Sequence, residues 1–274
     1  MCRWMAYTGA PIHIEDLLFR SQHNLIDQSL SSRSAETPTN GDGFGLGWYG
    51  ELPQPGLFRS IRPAWNDFNL RDLAAQVRSH LFFAHVRATS LATVQETNCH
   101  PFRYGKWLFV HNGEIHGVEK IHQALLAAIP PQYFANILGS TDSELMFHVA
   151  LGLGLEADPL GGIARMVGLV ERLARAQGVD EAVWMTVAVT DGRTIHAVRY
   201  ASDGKAPTLY LSPDVEHLAW INPEAAQRVG PGGRAVVSEP IGKFPTLWQA
   251  VPENSAIVVG EDGAVEVRPF APAA

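Results

Sequence analysis

Cysteine is scarce in this chain, with only Cys2 and Cys99 among 274 residues. That excludes the disulfide framework of a small secreted domain, and the spacing suits no zinc knuckle. A reducing, cytoplasmic compartment is the expectation. Positive charge is scarce too. Lys and Arg total 21 against 28 Asp and Glu, a net charge of −7, with no Lys/Arg run; a nucleic-acid surface is therefore not expected. Every apolar stretch is broken before the roughly 20 residues that span a bilayer. No basic segment followed by an apolar run opens the chain, so neither a membrane span nor a signal peptide is expected. Regular βα alternation is missing, which argues against a doubly wound parallel sheet.

Apolar residues, at 46%, are plentiful enough for a sizeable core. Strand patterns occupy 2–9, 44–50, 56–63, 81–88 and 106–113. Helical patterns occupy 12–21, 66–79, 118–129, 141–155 and 160–177. Strands return at 182–192, 194–202, 208–212, 234–240, 255–260 and 264–270, and Asp191-Gly192 marks a hairpin. Residues 29–43 are polar and read as a surface loop. The order strands, helices, strands predicts an α+β fold. Two mostly antiparallel sheets with helices outside fit it, as a single domain over 2–274.

Candidate chemistry begins at "MCRW". Met1 is normally trimmed before a small residue, which leaves Cys2 with a thiol and a free α-amine. A thiol of pKa about 8.5 beside an amine of about 7.7–8.0 is a built-in nucleophile and base. On position alone, a small buried apolar residue is the commoner reading of Cys2. "HNGEI" follows an apolar strand. Asn112-Gly113 is either a hairpin turn or an oxyanion hole, in which losing one donor costs about 2.7–4 kcal/mol of transition-state stabilisation. Arg87 ends another apolar strand and suits a bidentate carboxylate or an ordinary ion pair. Thr141 and Glu144 form a capping-box pattern that puts Asp142 in a first helical turn. The helix dipole explains that position, and so does an ammonium clamp. His100 begins a turn at His100-Pro101. With His85, His111 and His116 it invites a metal, but no metal-ligand spacing or acid cluster completes a site, so no metal or cofactor is expected. "GLGWYG" matches G-x-G-x-x-G, yet the prolines that follow forbid the helix a nucleotide site needs.

These stretches together resemble a class II glutamine amidotransferase domain of the N-terminal nucleophile hydrolase superfamily. The resemblance rests on "MCRWMAYTG", "NGDGFGLGWYG", "AHVRATS", "ETNCHPF", "WLFVHNGEI" and "GSTDSE", within about residues 2–145. It is strongest to stand-alone members such as the γ-glutamyl amidohydrolase of the ergothioneine pathway. The resemblance implies an αββα four-layer sandwich. It implies attack by Cys2 on a side-chain amide, with the α-amine shuttling the proton. Asn112 and Gly113 would hold the oxyanion, Arg87 the α-carboxylate with Thr89 assisting, Asp142 the α-amine, and His100 would support the site. Ala88 departs from the aromatic that follows the motif Arg in many synthases. Cys99 would be a buried thiol or a redox partner of Cys2. The resemblance implies glutamine or another γ-glutamyl amide as substrate; no synthase domain fits the remaining residues, so water or a separate synthase subunit would be the acceptor. A non-catalytic γ-glutamyl-binding module on the same fold is the alternative.

Overall fold

Alternation in "RWMAYTGAPIH" sends Trp4 and Ala6 to one face of a strand and Met5 and Tyr7 to the other. All four are fully buried, so this strand must be covered on both sides. In the computed structural model, which describes residues 2–32, 39–89 and 93–273, it is β1 (Arg3–His13). Its first-sheet companions are β2 (Phe44–Trp48), β3 (Gly56–Ser60) and β4 (Arg78–Val86). The second sheet starts with β5 (Phe102–Tyr104), β6 (Trp107–Ile115), β7 (Val183–Thr190) and β8 (Ile195–Ala201). The last third returns to both sheets with β9 (Tyr210–Leu211), β10 (Arg234–Val237), β11 (Gln249–Ala250), β12 (Ser255–Val259) and β13 (Val265–Pro269). The strand orders are β11-β9-β10-β1-β4-β2-β3 and β13-β12-β8-β7-β6-β5, and neighbours run antiparallel.

Trp4 and Ala6 meet Leu108, Val110, Ala188 and Ile257 between the sheets. Burying each large apolar side chain there stabilises the fold by roughly 1.5–3 kcal/mol. Met5 and Tyr7 instead join side chains from α1 (Glu15–Leu18), α2 (Leu25–Leu30) and α3 (Phe68–Gln76). The outer face of the second sheet is covered by α4 (Val118–Ala127), α6 (Asp142–Gly152) and α7 (Pro159–Arg175), with the short α5 (Pro131–Phe134) before α6. Helices, sheet, sheet and helices are the four expected layers.

Several local expectations change. The predicted helix over 12–21 shrinks to α1, because β1 continues to His13 by pairing with Arg78 and Ser79 of β4 beyond a register shift. Residues 96–98, where no element is predicted, form a 3₁₀ turn. Two helices, α8 (Val215–Ile221) and α9 (Pro223–Val229), occupy a stretch without a predicted element. The 29–43 loop falls partly outside the described residues.

Candidate active site

Cys2 lies one residue ahead of β1, where Arg3 pairs with Val86. This register sets Cys2 against the segment that leaves β4. The Cys2 thiol donates to the Ala88 carbonyl at 3.3 Å, and the Ala88 N–H approaches the same sulfur at 3.4 Å. Burial pushes the thiol above its usual pKa; the Ala88 backbone bond and the charges of Arg87 and Arg3 oppose that shift. Arg87, which is buried, is fixed through its backbone. Its N–H donates to the Gly43 carbonyl at 2.8 Å and its carbonyl accepts from the Asp42 N–H at 3.0 Å. Its guanidinium makes no ion pair among the described residues. Thr89 donates its N–H to the Asp42 carboxylate at 2.8 Å. Asp42 therefore orders the whole 87–89 turn, a part the sequence showed only as the acid of "NGDG".

Asn112-Gly113 is no hairpin turn, because both residues lie inside β6, opposite Thr186 and Met185 of β7. Gly113 has φ +145, and a Cβ there would come within 1.8 Å of the Trp184 carbonyl oxygen. Only glycine fits that backbone. Asn112 is buried and shares its face of β6 with Leu108 and Val110, the face turned toward β1. Its cross-strand partner Thr186 accepts from the Trp4 indole at 3.1 Å.

Thr141 caps α6 by accepting the Glu144 N–H at 3.2 Å. The capping box is only half made, since the Glu144 carboxylate accepts from the N–H groups of Leu138 and Gly139 instead. Asp142 accepts the Ile115 N–H at 2.9 Å and the Ser143 N–H at 2.7 Å. The first of these bonds ties the start of α6 to the end of β6, two residues past Gly113. Ser143 Oγ lies 2.8 Å from His111 Nδ1.

His100 stacks on His85 with ring centroids 4.2 Å apart. Burial drives both below the usual imidazole range, His85 to about 3, so both are neutral at pH 7. Gly45 permits this, because a Cβ there would meet the His100 carbonyl at 2.0 Å. His116 lies apart, half-exposed and bonded to Glu114 at 2.9 Å. Cys99 is buried, its thiol pushed up to about 11 by burial, and both cysteines are free thiols.

One cleft of about 270 Å³ gathers Cys2, Arg87, Thr89, His100, Gly113 and Asp142. Asn112 is not among its lining residues. A nucleophile, a buried guanidinium with no ion pair among the described residues, a glycine backbone and a fixed carboxylate thus share one space. Such a set can grip a zwitterionic head group and present an amide to sulfur.

Comparison with known proteins agrees with this arrangement. Residues 22–200 match the family of class II glutamine amidotransferases. The probable glutamine amidotransferase DUG3 of Saccharomyces cerevisiae is 35% identical, over 94% of this chain and 82% of that one. The γ-glutamyl-hercynylcysteine sulfoxide hydrolase of Mycolicibacterium smegmatis is 30% identical, over 74% of this chain and 85% of that one. A glutamine aminotransferase class-II domain protein from Silicibacter pomeroyi superposes with TM-score 0.76 at 35% identity, over the full length of both chains. The glutamine phosphoribosylpyrophosphate amidotransferase of B. subtilis shares the fold, with TM-score 0.64 at 12% identity over 98% of this chain and 49% of that one. The chain belongs to the class II glutamine amidotransferase family, a family of enzymes that includes γ-glutamyl hydrolases.

Proposed function

We propose that this enzyme cleaves a γ-glutamyl side-chain amide through Cys2 once Met1, which lies outside the described residues, has been removed. The Cys2 sulfur attacks the amide carbonyl and its proton passes to the freed α-amine. The C–N bond then breaks, the amine hands that proton to the leaving ammonia or amine, and a thioester remains. Water attacks the thioester, the C–S bond breaks, and glutamate leaves with the thiol restored. A part-buried thiol whose pKa is raised by desolvation needs such a base beside it. Asn112 and Gly113 stabilise the oxyanion in both halves, Arg87 and Thr89 take the α-carboxylate, Asp142 takes the α-ammonium, and His100 supports the cleft wall.

The observation that carries this reading is the single cleft lined from five separate stretches of chain. The γ-glutamyl substrate named for the M. smegmatis relative supports the same class of amide here. Strands from the last third complete both sheets, which supports reading residues 2–274 as one domain. The released ammonia or amine goes to water or to a separate synthase subunit. The test is turnover of glutamine and of γ-glutamyl amides by wild type and Cys2→Ala. We expect ammonia or amine release by wild type and none by the variant, with Tm nearly unchanged. Retained turnover in Cys2→Ala would contradict the reading.

A further inference from the structure

Directly behind the nucleophile lies a buried ion pair that the cleft does not touch. Arg3 Nε donates to Glu239 Oε2 at 2.8 Å, and the two side chains are 2% and 3% exposed. Arg3 Nη1 donates to the Cys2 carbonyl at 2.9 Å, and Nη2 donates to Ser32 Oγ at 3.2 Å. The other carboxylate oxygen of Glu239 meets His23 Nε2 at 2.5 Å. His23 holds φ +47, a backbone region costly for a non-glycine residue. Gln28 Nε2 donates to the Glu239 carbonyl at 3.3 Å. The neighbouring Ser238 brackets Trp4, giving its N–H to the Trp4 carbonyl at 3.0 Å and accepting the Trp4 N–H on its hydroxyl at 2.9 Å. Glu239 is thus held from its backbone as well as its carboxylate.

A buried ion pair is an expensive way to stabilise a fold, and apolar side chains of similar size often serve as well. What they cannot supply is a donor for the Cys2 carbonyl. That donor matters because a residue at the very start of a chain is held by one peptide bond. With Met1 gone, the Cys2 amine is reserved for proton transfer and its sulfur for attack. Its carbonyl is the polar group that can be anchored without engaging either of them.

We infer that Arg3, locked in place by Glu239, is a positioning residue for the reaction: it fixes the Cys2–Arg3 peptide plane so that the thiol and α-amine keep their aim. Arg3 touches no reacting atom. Lysine is no substitute, because a point charge cannot span Glu239 and the Cys2 carbonyl as the planar fork does. The last third of the chain acquires a role through this contact, since Glu239 lies two residues past the end of β10.

This inference rests on the proposed function, and its test separates the two. Arg3→Met/Glu239→Met removes both charges together, and Arg3→Lys keeps the charge opposite Glu239 but loses the fork. Each is measured for Tm, kcat, KM and the rate at which a glutamine-like diazoketone alkylates Cys2. We expect a folded double variant with KM close to wild type, and with kcat and alkylation rate lower by about 10²-fold, the cost of a small misplacement at the reacting atom. Arg3→Lys should lose at least about tenfold in both rates on the same principle. Wild-type rates in either folded variant would overturn the inference by showing that the pair serves stability alone. Should the double variant not fold, Arg3→Lys decides. A wild-type enzyme inert to the reagent would overturn the functional reading, and this inference with it. A reactive wild type with equally reactive variants would overturn the positioning role only.

Discussion

A single methyl group tests Gly113. Gly113→Ala drives a Cβ against the Trp184 carbonyl and forces a side chain onto φ +145. We expect a loss of at least about 1–3 kcal/mol of stability, seen as a lower Tm, together with loss of turnover. Wild-type Tm would show that the backbone relaxes at no cost. Arg87→Lys keeps the charge and removes the fork. In the proposed mechanism it raises KM for the γ-glutamyl amide by about tenfold, the equivalent of 1.4 kcal/mol, with a smaller change in kcat; an unchanged KM in steady-state assays would remove Arg87 from the carboxylate site. Cys2, Arg87, Gly113 and Asp142, which line the cleft, were legible in the sequence because their side-chain or backbone chemistry is distinctive; Asn112 was read from the same motif but does not line the cleft. Asp42 and Ala88 were not legible. They act through one carboxylate–backbone bond and through a main-chain grip on sulfur, and neither leaves a pattern in residue type.

Elements set the aim of those residues. Helix α6 begins where it does because Thr141 caps it, and its first residue, Asp142, reaches across to β6. Thr141→Ala should cost about 1 kcal/mol, lower Tm, and raise KM as Asp142 loosens; thermal melts and steady-state assays check both. The Thr141–Glu144 spacing located the helix start correctly but not the partner of Glu144, because the folded chain brings the 138–139 backbone closer than the cap. The misread helix over 12–21 has a similar cause. Ile12, Ile14, Leu17 and Leu18 satisfy helical spacing, and pairing with β4 claims the first part. Helices α8 and α9 were missed because each spans only seven residues, too few for a periodic apolar stripe to stand out; α8 fully buries none of its residues and α9 only Ala226 and Val229. Asp214 and Asn222-Pro223 were the available signals, as N-caps with proline at the first helical position.

At the scale of the whole molecule, the buried histidines set a pH limit. Burial holds His85, His100 and His111 below their ordinary pKa, so the folded protein binds fewer protons than the unfolded chain once the pH drops below about 6.5. Stability is therefore full above that pH and falls as pH decreases toward the folded values. The slope is at most about 1.4 kcal/mol per pH unit for each histidine. Urea midpoints should drop between pH 7.5 and pH 5.5, and His85→Gln should flatten part of that slope. An unchanged or rising midpoint would contradict the assignment of these rings as neutral. The four-layer sandwich was legible from the order of periodic segments. The reach of the last third back to β1 was not, because pairing between residues more than two hundred positions apart leaves no local trace.

The intact mass of the purified protein, before and after a glutamine-like diazoketone, tests the N-terminal nucleophile most directly. The mechanism predicts a chain lacking Met1 that gains one stoichiometric adduct, with no adduct on Cys2→Ala. A chain that turns over amide while keeping Met1, or an adduct that persists in Cys2→Ala, would contradict it.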